Sequence, residues 1–202
     1  MAAKKKIPTQ KVIIGGLMYV LLFAGAPEAI SGGDSDEKCG GEELWSQKIL
    51  MDEESEDIRR TPELTTIANL IRIDTEGEKR TADNPRLEFE EKEVTVKDVL
   101  IRKVILEDDN DYHLVIQDRQ GRHMIAEIID PACEDAHQSE FIDDYYAVRE
   151  TMDQYATKFL HYSFNITGVL FRDRPHGQTG KADNNLEIHP ILKLTKNHKL
   201  NY

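Results

Sequence analysis

Histidine and carboxylate side chains gather near residues 173–189, where their chemistry and spacing invite a functional interpretation. Asp173 and His176 lie in a loop rich in glycine and asparagine, and Glu187 and His189 follow two residues apart. Alternate residues of a strand share one face, so Glu187 and His189 should lie side by side. Imidazole and carboxylate groups ligate metals and carry protons, which favours a metal-dependent hydrolase such as a phosphodiesterase or nuclease. The candidate polar cluster comprises Asp173, His176, Gln178, Asn184, Glu187 and His189.

A structural role for these polar side chains is the alternative, and we favour it. Hydrogen bonds to backbone groups would tie a long loop together, with Gly177 and Gly180 allowing tight bends. The histidine spacing is not that of a zinc motif, so we predict neither a metal nor a cofactor.

The N-terminal residues have the pattern of an export signal. Lysines at positions 4–6 and 11 precede an apolar run over 12–26, which is shorter than the roughly 20 residues that span a bilayer. Cleavage would follow Ala26 or fall near Ala29–Ser31. We therefore predict a signal peptide over 1–30, a periplasmic or extracellular location, and no stable membrane span after removal of the signal.

Export changes the interpretation of the two cysteines, Cys39 and Cys133. An oxidising compartment allows them to form a disulfide, and two unpaired buried thiols are the alternative. A catalytic thiol is disfavoured, because the carboxylates of Asp130, Glu134 and Asp135 around Cys133 oppose formation of the thiolate.

Charge divides the rest of the chain and limits its partners. With 26 basic and 38 acidic residues the net charge is -12, which disfavours binding to duplex nucleic acid. Residues 31–85 form an acidic extension, in which apolar residues at helical spacing over 64–71 predict a short helix. The remaining residues, 86–202, form the main domain.

Hydrophobic periodicity in the main domain predicts five strands and one helix. A long first strand with phase slips indicates a bend and a bulge, and Pro190 indicates an edge position or a bulge in the last strand. The predicted strands are 94–106, 112–117, 124–129, 164–171 and 186–194, and the helical stripe runs from Phe141 to Phe159.

This order of elements is typical of a small OB-like Greek-key barrel, a mainly β fold with one packed helix. An open sheet capped by one helix has the same order and is the alternative. OB-like barrels bind oligosaccharides, peptides or single-stranded nucleic acid, so we predict an exported binding module. A metal-dependent hydrolase and an envelope structural or interaction protein are the alternatives. The candidate groove consists of Tyr112, His113, Arg119, Arg122 and His123.

The chain contains the short motifs DYHLVI at 111–116, DPAC at 130–133, HGQTG at 176–180 and ExHP at 187–190. These motifs resemble those of a family of small exported bacterial proteins of uncharacterised function. The resemblance covers nearly the whole chain after the signal and implies a disulfide between Cys39 and Cys133, but it carries over no catalytic residue. Arg172 and Asn185 depart from the family pattern, so the loop between them should differ in shape.

Overall fold

The computed structural model describes residues 11–13, 44–75, 85–174 and 177–200. Within these residues, seven strands form one sheet. The strands are β1 (Lys11–Ile13), β2 (Arg59–Thr65), β3 (Lys92–Leu106), β4 (Tyr112–Gln117), β5 (His123–Ile128), β6 (Tyr162–Arg172) and β7 (Leu186–Lys199).

Five of the strands close into a barrel, and this confirms the predicted fold. The strands follow the order β3, β4, β5, β7, β6, and β6 pairs with β3 to complete the circle. The contact between β5 and β7 is parallel, whereas the other four contacts are antiparallel. In barrel numbering this is the strand order 1-2-3-5-4 of an OB-like barrel with Greek-key connections.

The first barrel strand, β3, is long and bent, so it pairs with two different strands of the barrel. Its first half pairs with β6 and its second half with β4, with register shifts between Val96 and Val99 and between Ile101 and Lys103. Asp98 adopts φ 58° at the first shift and donates its backbone N–H to the side chain of Asn165. The bulges supply the curvature that closure of the barrel requires.

The predicted helix lies between β5 and β6 and packs on the barrel. It is α3 (Ile142–Tyr155), in which Tyr145, Val148 and Met152 are buried at spacings of three and four. Shorter helices are α1 (Trp45–Lys48) and α2 (Ile67–Leu70), and 3-10 turns cover Glu53–Asp57, Glu88–Glu91, Asp135–Gln138 and Phe159–His161.

Alternation along the strands separates two apolar regions. Residues such as Leu114, Ala126 and Ile188 point into the barrel and form the main core with Val148 and Met152 of α3. Residues on the other side of the same strands point outward, where a second cluster forms. The barrel therefore has an outer face that needs its own cover.

Residues 44–58, which we call the cover segment, supply that cover. Ile49 and Leu50 pack in the second cluster against Ile129, Phe141 and Val169. This burial explains how an acidic extension with few apolar residues stays attached to the domain.

A buried arginine clamps the cover segment to the domain. The Arg86 guanidinium donates to both carboxylate oxygens of Asp52, at 2.9 and 2.6 Å, and to the Gln47 carbonyl at 2.7 Å. Its backbone N–H donates to Glu54 at 2.5 Å. Such bidentate, charge-assisted contacts fix orientation as well as distance.

The helix predicted over 64–71 is only partly correct. Residues 59–65 form β2, which pairs in parallel with the start of β3, and the helix begins at Ile67. Thr66 is extended, and its hydroxyl accepts the Asn69 N–H as an N-cap. Pro62 and the β-branched Thr65 favour the extended backbone ahead of the cap.

Pro190 lies at an irregularity of strand β7. Strand β7 lies between β5 and β6, and its register against β6 shifts between Ile188 and Ile191, so the bulge alternative is confirmed. Its pairing with β5 covers only Glu187 and Ile188, so Pro190 lies beyond the paired residues on that side. Gly168 of β6 approaches this point so closely that a Cβ there would lie 2.3 Å from the Pro190 carbonyl oxygen.

The predicted export signal falls almost entirely outside the described residues. Its described part, β1, pairs antiparallel with Val104–Leu106 of β3. Among the described residues, no helix is both long and apolar enough to cross a membrane.

Candidate functional site

Four ionisable side chains lie on the outer face of the barrel, near Lys48 of the cover segment. They are His113 of β4, Glu127 of β5, and Glu187 and His189 of β7, each at most 2 % exposed. All four have odd residue numbers. Even-numbered neighbours on the same strands, such as Leu114, Ala126 and Ile188, point into the core, so strand alternation places the four side chains on the outer face. The pairing of β4 with β5 and of β5 with β7 brings them together. This arrangement confirms that Glu187 and His189 share a face.

His113 and Glu127 form a side-chain hydrogen bond on this face, and both ring nitrogens of His113 have partners. His113 Nδ1 lies 3.0 Å from Glu127 Oε1, and His113 Nε2 lies 2.9 Å from the carbonyl oxygen of Thr179. Burial lowers the pKa of His113, but the hydrogen bond and charge of Glu127 outweigh burial and raise it. Both ring nitrogens face acceptors, so the imidazolium form is the one that satisfies them.

Glu127 also faces the second imidazole. His189 Nδ1 lies 2.8 Å from Glu127 Oε2, at an ion-pair distance but without hydrogen-bond geometry. The Nε2 atom of His189 is buried with no hydrogen-bond partner. Burial would raise the pKa of Glu127, yet the charge of His189 and the contact with His113 hold it well below its usual range.

The loop between β3 and β4 adds two carboxylates. Asp111 Oδ1 accepts the Asp130 N–H at 2.7 Å, whereas Asp111 Oδ2 is buried without a hydrogen-bond partner. Burial, Asp109 and Glu127 raise the pKa of Asp111 well above its ordinary value. Burial, and then the charge of Glu127, raise the pKa of Glu107 to about 7.

Glu187 and Lys48 complete the charged surface. Both carboxylate oxygens of Glu187 are buried without hydrogen-bond partners, and burial followed by Glu127 and Asp173 raises its pKa well above the ordinary value. Lys48 reaches the face from α1 of the cover segment. Burial opposes its charge, but the attraction of Glu127, Asp173 and Glu187 raises its pKa overall.

Carboxyl groups outnumber basic groups on this buried face. Five carboxyl groups stand against two imidazoles and one ammonium group. Buried charges without counter-charges are costly, so protons or an added cation must balance the excess. The carboxyl groups are Glu107, Asp111, Glu127, Asp173 and Glu187, and the basic groups are His113, His189 and Lys48.

Two overlapping sets of these residues could hold a metal ion. In each set, the ligand atoms all lie within 4.8 Å of one another, and Glu127 belongs to both. The sets are Asp111, Glu127 and His189, and Glu107, His113 and Glu127.

The candidate polar cluster from the sequence is divided by the structure. Asp173, Glu187 and His189 lie on the same face. Asp173 is close enough to Glu187 for its charge to raise the pKa of Glu187. Asn184 lies apart from them and has a structural role: its amide donates to the carbonyls of Leu70 and Ile73, at 2.9 and 3.1 Å. These bonds to backbone groups anchor the loop to α2 and the turn that follows it, as the structural alternative predicts for Asn184.

The other two members of that cluster give less information. Gln178 lies half-buried in the loop before β7. His176 lies outside the described residues.

The five residues of the candidate groove do not share one surface. Tyr112 points toward α3, where its hydroxyl donates to Asp153 and its ring lies beneath Arg149 at 3.5 Å. His113 points to the opposite side of the strand. In the turn between β4 and β5, Arg119 pairs with Asp98 and Arg122 pairs with Asp118. His123, the first residue of β5, is exposed.

Sequence reasoning missed Glu107, Asp111, Glu127 and Lys48 as site residues. Glu127 carried a usable signal, because it is the one charged residue within the apolar run 124–129. The others gave none, since Asp111 had the pattern of an ordinary acidic turn and Lys48 belongs to a separate segment.

The predicted disulfide stays a prediction. Cys133 is buried in the second apolar cluster, near the cover segment. Cys39 lies outside the described residues.

No family model, no curated protein and no solved structure matches the chain. The resemblance to small exported bacterial proteins therefore stays a prediction as well.

Proposed function

We propose that this chain is an exported OB-like binding module whose ligand is a small cation held on the outer face of the barrel. OB-like barrels bind their ligands on the second and third strands and on the loops that follow the first and fourth strands. Here those strands are β4 and β5, which carry His113 and Glu127. The loops are 107–111 and 173–185, which carry Asp111 and Asp173. The charged face thus coincides with the part of the fold that serves binding elsewhere.

The excess of buried carboxyl groups over basic groups, with oxygens that lack partners, is the observation that supports a cationic ligand. Glu187 presents two oxygens without hydrogen-bond partners, and Asp111 presents one. A cation on this face would pair with these groups and lower the cost of their burial. An oligonucleotide would instead meet carboxylates where its phosphates need basic groups, so the charge of this face argues against single-stranded nucleic acid.

The cover segment limits the ligand to a small one. Lys48 lies close to the carboxyl groups of the face, the next residues Ile49 and Leu50 are buried in the second apolar cluster, and Arg86 clamps the segment in place. A sugar chain or a peptide would have to displace this packing. A single ion would not.

A metal-dependent hydrolase is the second candidate function. The favouring observation is that Asp173, Glu187 and His189 share the face, next to the hydrogen-bonded pair His113 and Glu127. Catalysis needs an open position for substrate, and these side chains are almost fully buried. Hydrolysis of bis(p-nitrophenyl) phosphate with added Mn²⁺, lost in His189→Gln, would favour the hydrolase over the binding module.

Thermal unfolding in a panel of small cations tests the binding module. We would compare K⁺, NH₄⁺, Mg²⁺, Ca²⁺ and Zn²⁺ at constant ionic strength, on the chelator-treated protein and on Glu127→Gln. At least one cation should raise the melting temperature of the wild type with a saturating concentration dependence, and Glu127→Gln should lose this increment. Equal responses of both proteins to every cation would refute the proposal.

A further inference from the structure

One of the two metal-compatible sets contains buried polar atoms without hydrogen-bond partners. These atoms are Asp111 Oδ2 and both ring nitrogens of His189, in residues that are each only 1 % exposed. Buried polar atoms are normally satisfied, so each orphaned atom needs an explanation. In the other set, both ring nitrogens of His113 already have partners, Glu127 and Thr179.

The remaining contacts hold these atoms in place. The Asp130 N–H fixes Asp111 through Oδ1 and leaves Oδ2 available. His113 occupies Oε1 of Glu127, and Oε2 faces Nδ1 of His189 at 2.8 Å without hydrogen-bond geometry. In known metal sites, hydrogen bonds of this kind orient the ligands. Here they are made by Asp111 Oδ1 and Glu127 Oε1, and the second oxygen of each carboxyl group is left for an ion.

We propose that Asp111, Glu127 and His189 bind one divalent transition-metal ion on the outer face of the barrel. This inference rests on the proposed function, because it names the small cation and the groups that hold it. Metal–ligand distances of about 2.0–2.2 Å allow one ion to reach all three groups with small side-chain adjustments, given their mutual separation within 4.8 Å.

The ligand types determine the class of metal. One imidazole nitrogen with two carboxylate oxygens suits Zn²⁺, Co²⁺ or a similar first-row ion, whereas Mg²⁺ and Ca²⁺ prefer sets made of oxygen alone. Lys48 lies nearby and opposes any second positive charge. A single ion with a nitrogen ligand is therefore the expected occupant.

Isothermal titration calorimetry with Zn²⁺ and visible absorption with Co²⁺ test the inference on the full chain after chelator treatment. The wild type should bind one Zn²⁺ per chain, and bound Co²⁺ should show d–d bands that report a nitrogen ligand. Asp111→Asn and His189→Gln should weaken Zn²⁺ binding at least about 100-fold, since losing a ligand costs no less than losing its hydrogen-bond partner. His198→Gln, a half-exposed histidine at 51 %, should retain full binding.

Three results would overturn the inference. The first is a wild type with neither Zn²⁺ heat nor Co²⁺ bands, a result that needs no variant and is independent of any folding defect. The second is unchanged binding in both Asp111→Asn and His189→Gln. The third is loss of binding in His113→Gln with retention in His189→Gln, which would place the ion in the other set.

The two proposals can fail separately. If Ca²⁺ or K⁺ stabilises the protein through Glu127 while Zn²⁺ and Co²⁺ do not bind, the inference fails and the cation-binding module stands. If no cation binds, both fail, and protons alone balance the buried charge.

Discussion

Arg86 should contribute more to stability than any exposed ion pair of this protein, because its guanidinium is completely buried. Its side chain is 0 % exposed and that of its partner Asp52 is 12 % exposed. Arg86→Ala removes two bonds to Asp52 and one to the Gln47 carbonyl. It also leaves the Asp52 carboxylate largely buried without its counter-charge.

The expected cost follows from that geometry. Removing one partner of a buried ion pair typically costs about 3–5 kcal/mol, because the remaining charge loses its compensation. Arg86→Lys keeps the charge but loses the planar fork that spans Asp52, so we expect an intermediate loss of about 1–3 kcal/mol. The control is Arg119→Ala, which breaks the exposed pair with Asp98 and should cost less than about 1 kcal/mol.

Two spectroscopic probes can separate the cover segment from the barrel during urea denaturation. The single tryptophan, Trp45, belongs to the cover segment, so its fluorescence reports on that segment, while far-ultraviolet circular dichroism reports on the barrel. In Arg86→Ala the fluorescence transition should move to lower urea and precede the dichroism transition. Coincident transitions within 1 kcal/mol of the wild type would refute the idea that Arg86 clamps the segment.

Three further substitutions test the fold. Gly168→Ala should destabilise the protein by about 3 kcal/mol in urea denaturation, because the added Cβ would meet the backbone of β7. The control is Gly177→Ala, whose Cβ would meet no atom of the described residues within 4 Å and should change stability by less than about 0.5 kcal/mol. Met152→Ala should cost about 2–5 kcal/mol, and an unchanged midpoint would mean that α3 does not pack on the barrel. Burial raises the pKa of Glu93 above 4.5, so the folded state holds that proton more tightly and stability should fall as pH rises from about 4.5. Melting temperatures across this range should depend less on pH in Glu93→Gln, and a slope equal to that of the exposed control Glu63→Gln would contradict the assignment.

Local patterns were sufficient to predict the barrel strands and the helix. Alternation in 112–117 and 124–129 and the four-three spacing from Phe141 onward are local signals, and each element appears where its signal lies. The choice between an edge and a bulge at Pro190 could not be made from the sequence, because the sequence does not show which strands pair with β7. The bulge is defined by the register of β7 against β6, and the short pairing with β5 involves a partner about sixty residues away.

Strand β2 shows a different limit of sequence reasoning. Its first six residues are all exposed, so residues 59–65 have no apolar alternation that could predict a strand. The segment is extended because β3 offers hydrogen-bonding partners beside it. Such a strand depends on tertiary structure and cannot be found from its own composition.

The candidate site was only half predictable for the same reason. Glu187 and His189 lie on one strand, so their common face follows from alternation alone. Their contact with Glu127 depends on the parallel pairing of β5 and β7, across about sixty residues of chain. Asp111 joins them only because its loop folds back to bind the Asp130 N–H.

The place of the cover segment in the chain has a consequence for the order of events during synthesis. Residues 44–58 leave the ribosome before any barrel strand, yet Val169 and Leu192, on which they pack, belong to β6 and β7, the last two strands. The segment must therefore wait for almost the entire domain before it can dock. Glu187 and His189 also arrive with β7, so the charged face is assembled and covered in the same late stage. A cation would have its widest access to the carboxylates before that stage ends.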